Sequence, residues 1–160
     1  MKLKRLELQY TEVGDEGLAH LRHCTSLTDL DLWRTKVTDG GMSHLKECKD
    51  LTSLGLTDTV VGDAGLAYFK GCKNLSGLSI NGTNLTDTGL AHVKDCKNLR
   101  TLRLDHAQVI DAGLADLTGL RQLTELGLTK TKATANGVER PAKALPKCKI
   151  TWDGGVIGPK

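Results

Sequence analysis

Apolar residues recur along the chain at a fixed spacing of 24. Leu3, Leu27, Leu51, Leu75, Leu99 and Leu123 each open the same phrase, roughly L-x-x-L-x-L-x-x-T-x-V-x-D-x-G-L-x-x-L-x-x-C-x-x. Within each phrase the period changes. Leu30-Asp31-Leu32-Trp33 alternates apolar and polar, the period of a strand with one buried face. Met42, Leu45 and Cys48 then fall three apart, as on one helix face. The pattern predicts six units of strand, loop, helix and return loop, each able to bury its apolar face only against its neighbours. Right-handed parallel connection of such units gives an α/β solenoid, with a parallel sheet on the concave wall and helices outside.

The repeat can be read column by column. Leu6, Leu30, Leu54, Leu78, Leu102 and Leu126 form one buried strand position, and the residues two further on form the next. Asp15, Asp39, Asp63, Asp87 and Asp111 stand where an acceptor would cap each helix. Gly17, Gly41, Gly65, Gly89, Gly113 and Gly137 are costly in helices and imply close approach to a neighbouring element. Pro141 replaces a helix leucine, so the last helix is expected to be short or kinked. Ile150 and Trp152 are expected to form a closing strand, giving an array over residues 1–152 and a tail over 153–160. Leu3 is already in register with no amphipathic cap before it. The first strand is therefore expected to expose apolar side chains and unpaired backbone, inviting self-association or marking a segment of a longer protein.

Composition narrows the functional classes. The net charge of +3 is too small to argue for nucleic acid or an anionic membrane as partner, and the charges look scattered along the chain. Charges interrupt the apolar residues of the first eight positions, which rules out a secretory leader of the usual kind there, and a cytoplasmic setting is the default. Of the five cysteines, Cys24, Cys48, Cys72 and Cys96 sit in one column. One thiol per layer cannot converge on a metal ion, so they read as small core residues. His20, His44 and His92 read as solvated surface, and the aspartate column as caps rather than calcium ligands. No cofactor motif is present, and a catalytic constellation would stand off the repeat pattern.

The L-x-x-L-x-L core followed by a helix-forming half resembles the leucine-rich repeat, from Leu3 to about Thr151. The variant at Thr35–Met42 and Thr83–Leu90 resembles the bacterial GALA-like, cysteine-containing subclass. The segment from Ala144 to Trp152 resembles the closing piece of such arrays. The resemblance implies a right-handed horseshoe of the ribonuclease-inhibitor kind and a non-catalytic protein-binding module. It also implies association with larger proteins such as bacterial serine/threonine kinases. The family's usual turn asparagine is Thr11, Thr35, Thr59, Thr83 and Thr131 here, and once Ala107, where a looser loop is expected.

In a solenoid, specificity sits where the repeats differ. Outward strand positions gather Tyr10, Asp29, Asp31, Trp33 and Arg34 near one end, residue types that include those enriched in binding hot spots. Arg103, Asp105 and His106 form a second cluster, separated by small polar residues. The expectation is a protein or peptide anchored on Trp33 and Arg34 and bridging to Arg103. The alternative is an enzyme site around Arg103, Asp105 and His106, which requires those side chains to converge.

Overall fold

The computed structural model describes residues 2–159; Met1 and Lys160, the first residue of the expected array and the last of the expected tail, lie outside it. Eight strands form one sheet in chain order. They are β1 (Arg5–Glu7), β2 (Asp29–Asp31), β3 (Ser53–Gly55), β4 (Gly77–Ser79), β5 (Thr101–Arg103), β6 (Glu125–Leu128), β7 (Lys149–Trp152) and β8 (Gly155–Ile157). The first seven are parallel, and the register never slips. Leu6, Leu30, Leu54, Leu78, Leu102, Leu126 and Ile150 stand side by side. The outer layer is α1 (Asp15–Leu18), α2 (Asp39–Met42), α3 (Asp63–Ala67), α4 (Asp87–Val93), α5 (Asp111–Leu114) and α6 (Ala135–Ala144). Three of the first five tighten into 3-10 turns at Ala19–Leu21, Ser43–Leu45 and Ala115–Gly119. This is the expected solenoid.

Between the layers lies one aliphatic core. From the second repeat on, the strand and helix leucines are almost fully buried, as are Phe69, Cys48, Cys72 and Cys96. Leu3, Leu6, Leu8 and Val13 of the first repeat are packed on one side and half-exposed on the other. The Cys48 Sγ lies 3.5 Å from the Cys24 carbonyl oxygen, and the Cys96 Sγ 4.0 Å from that of Phe69. Each thiol thus gives its weak S–H to the repeat before it.

The aspartate column does something other than cap its own helix. Each Asp is the first helical residue, and its carboxylate reaches into the following repeat. Asp15 accepts from the Thr38 N–H and hydroxyl (2.8 and 2.6 Å), Asp63 from Thr86 (2.8 and 2.6 Å) and Asp111 from Thr134 (2.7 and 2.6 Å). Asp39 and Asp87 accept from the N–H groups of Gly62 and Ile110. The capping role falls instead to Thr38, Thr86 and Thr134, whose hydroxyls accept from Gly40, Thr88 and Gly137. This latch also explains the glycine column. A Cβ on Gly65 would stand 2.6 Å from Asp39 Oδ1 and 2.7 Å from Val61 Cγ1, and Gly41, Gly89, Gly113 and Gly137 face the preceding Asp in the same way.

Three other expectations are corrected. Ala107 leaves no loose loop: its side chain is buried and its N–H donates to the Leu104 carbonyl at 3.0 Å, closing the turn its threonine counterparts close. Pro141 does not shorten the last helix. It is buried within α6, the longest helix, and the Leu145 N–H still reaches the Pro141 carbonyl at 2.8 Å. The cost is the single bond that Pro141 lacks an N–H to make. The segment expected to leave as a tail instead turns back. Residues 155–157 form β8, antiparallel to β7, and Asp153 Oδ1 accepts from the Lys130 N–H at 2.8 Å, in place of the backbone carbonyl a further repeat would supply.

Candidate functional site

Every strand leaves the sheet through one backbone turn, and that turn positions the candidate residues. Tyr10, Arg34, Asp58, Gly82, His106 and Lys130 all have positive φ, between 52° and 64°. Glycine adopts this conformation freely; other residues bear strain of about 1 kcal/mol or more. It persists because the N–H at each of the first five positions is fixed to the next repeat's carbonyl, as from Tyr10 to Trp33 at 2.8 Å and Arg34 to Thr57 at 3.0 Å. Threonine hydroxyls one residue later, at Thr11, Thr35, Thr59, Thr83 and Thr131, donate back to the strand and lock the turn. Side chains at this column are thereby held at the rim of the concave wall.

At the N-terminal end the rim and wall meet in a compact cluster. The Tyr10 and Trp33 rings pack with centroids 4.6 Å apart at 53°. The Arg34 guanidinium lies 5.8 Å from the Tyr10 centroid and 5.9 Å from that of Trp33. Asp58 Oδ2 accepts from Arg34 Nε at 3.1 Å and Trp33 Nε1 at 3.3 Å, and Asp31 Oδ1 accepts the Trp33 backbone N–H at 3.0 Å. Trp33 is thus held by Tyr10, Asp58 and Asp31, while Tyr10 remains 58 % exposed. Asp58 was absent from the candidate set read from sequence. Its signal was present: it lies 24 residues after Arg34, in the same column, with opposite charge.

Beyond Trp33 the inner wall opens into a trough of about 450 Å³ that spans β1 to β5. Asp29, Asp31 and Trp33 line one part of it, and Arg103 another. Ser53, Gly55, Gly77 and Ser79 form a low floor between them. Trp33 and Arg103 therefore face a common space, whereas Tyr10 and Arg34 stand at its rim. Arg5 and Glu7 pair at 2.7 Å, and Arg103 reaches Glu125 at 3.4 Å.

Arg103, Asp105 and His106 do not come together as a reacting centre. Asp105 Oδ1 accepts both the Thr129 N–H (2.8 Å) and its hydroxyl (2.6 Å), and the Asp105 N–H donates to Asn81. His106 sits exposed in the positive-φ turn, and the adjoining depression is lined by Arg103, Asp105, Glu125 and Lys149 without it. The thiols lie beneath the other surface. Burial pushes Cys48, Cys96 and Cys148 up to about 11 and moves Cys72 in the same direction. Among the described residues no three His, Cys, Asp or Glu side chains gather as a metal site would need, and no helix is long and apolar enough to cross a membrane.

A family model described as leucine-rich repeat matches residues 1–21 and 23–46. No curated protein sequence matches the chain. Similar solved structures include two from Listeria monocytogenes. An internalin, InlF, shares 24 % identity at a TM-score of 0.79, covering 92 % of this chain and 40 % of its own. Internalin C2 shares 23 % identity at 0.80, covering 95 % and 62 %. The leucine-rich repeat ectodomain of the Arabidopsis receptor kinase HAESA, solved with an N-terminally extended IDA peptide hormone ligand, shares 21 % identity at 0.67, covering 92 % and 25 %. The chain thus spans less than two thirds of the length of each. At these identities the likeness is one of fold. Repeat pattern, family model and solenoid architecture agree, and the fold of this chain is that of a leucine-rich repeat solenoid.

Proposed function

We propose that the concave wall is a recognition surface for a protein or peptide, and that the chain is a binding module rather than an enzyme. The observation that carries this is the Tyr10–Trp33–Arg34 cluster, braced by Asp58 and opening on a trough that reaches Arg103. Bracing fixes the rotamers of large side chains before contact, which removes part of the ordering cost of binding. Aromatic and arginine side chains at the edge of a concave surface are the types that dominate interface energetics. The low floor of Ser53, Gly55, Gly77 and Ser79 leaves room for an extended segment to approach the sheet. The HAESA ectodomain, similar in fold, was solved with a peptide ligand, which favours the same use here.

The finer form of this reading is a bacterial, cytoplasmic array of the GALA-like subclass, working as the recognition arm of a larger protein such as a serine/threonine kinase. It rests on the variant phrase at Thr35–Met42 and Thr83–Leu90. Photo-reactive benzoylphenylalanine placed at Ser53 or Thr101, both on the trough, tests the concave site in cells that express the protein. The same group at Tyr68, exposed on the helical side, is the comparison. Adducts common to Ser53 and Thr101 and missing at Tyr68 are expected. Adducts from Tyr68 alone would place binding on the other face.

A further inference from the structure

The repeat register sorts the charges that look scattered along the chain. Arg22, Lys46, Lys70 and Lys94 occupy one column, at or just past the C-terminal ends of the outer helical segments. Lys49, Lys73, Lys97 and Arg121 occupy a second column three residues on, in the return loops. All eight are exposed, and none forms an ion pair among the described residues. Three carboxylates, Glu47, Asp50 and Asp95, share this flank. The latching aspartates sit at the opposite ends of the helices. A chain with a net charge of +3 thereby carries one strongly basic flank.

We infer that this return-loop flank docks the protein on an anionic membrane surface. The unslipped register stacks the repeats in order, so the two cation columns run side by side along one flank of the solenoid. A planar bilayer can meet all of them at once. Six of the eight are lysine, a compact hydrated point charge suited to diffuse attraction more than to bidentate recognition. A protein partner fits less well, because lysine is depleted from interface cores and none of the large exposed apolar residues lies in these columns. Nucleic acid fits less well too, since the flank has no Phe, Tyr or Trp in or between the two columns for base stacking and no long helix to enter a groove. Helix-end compensation accounts for little of it: Lys97 Nζ donates to the Lys94 carbonyl at 2.7 Å, and none of the other seven donates to such a carbonyl among the described residues.

The test uses the whole chain with vesicles of phosphatidylcholine, with or without phosphatidylserine at about 30 %, in about 0.1 M salt. Binding to the anionic vesicles alone, lost at high salt, is expected. K49Q/K73Q/K97Q should bind at least about tenfold more weakly. K36Q/K130Q/K132Q removes the same charge from the opposite loops and should stay within about twofold of the parent. No binding by the parent chain, equal loss in both triple variants, or binding to duplex DNA in place of vesicles would each overturn the inference.

Discussion

Asp63 and Gly89 show how a single residue position acts across a repeat boundary. Asp63 takes two hydrogen bonds from Thr86, and a Cβ on Gly89 would collide with its carboxylate and with Leu85. Asp63→Ala is expected to cost about 1–2 kcal/mol in urea unfolding through the two lost bonds. Gly89→Ala should destabilise as well, although alanine is the better helix former. In Asp63→Ala/Gly89→Ala the two losses should fall short of additivity, because the collision with the carboxylate has been removed while that with Leu85 remains. The positive-φ column supplies the opposite case. His106→Gly, exposed and without a hydrogen bond from its ring among the described residues, should raise stability by about 0.5 kcal/mol by releasing backbone strain. Acid acts on the same latch. Thr134's hydroxyl and N–H hold Asp111 below the usual carboxylate range. Its contribution is therefore present at neutral pH and lost as pH falls through that lowered value.

Among the elements, the strands and the core were the most legible in the sequence, because period two and a fixed leucine column leave one register. The helices were less so. Asp was read as a cap because capping is a local signal, whereas the latch to a threonine or glycine 23 residues later is visible only once the repeats are stacked. Pro141 implied a short or kinked helix because the cost of one missing bond says nothing about the packing that retains its length. The cysteine column belongs at this scale too. Four thiols are buried, with Cys48, Cys96 and Cys148 up to about 11, while Cys24 is partly exposed. A disulfide reagent at pH 8 should modify Cys24 promptly and the others only on unfolding. Because the folded values of Cys48, Cys96 and Cys148 stand above their ordinary 9.0, stability should be constant below that pH and decline as pH rises from about 9 to 11. A flat urea midpoint across that window would contradict this burial.

For the whole molecule, the period works as a filter. It assigns leucines, glycines, aspartates and most cysteines to architecture, and leaves the off-pattern residues of the concave wall as candidates for the proposed recognition surface. Trp33, Arg34 and Arg103 stand out from the repeat for that reason, and recognition is their proposed role. Asp58 left only its column and its charge opposite to Arg34 as a signal, because its role depends on two neighbours one repeat back, and the basic flank was not legible, because a net charge averages what the fold separates. In the proposed function Trp33 and Arg103 contact one ligand across the trough while contributing little to folding. The most direct measurement is the affinity of the partner captured through Ser53 for Trp33→Ala and for Arg103→Ala, beside a thermal melt of each. The expected result is a loss of at least about tenfold in both with the melting temperature within about 3 °C of the parent. Affinity unchanged in both variants would contradict the concave site.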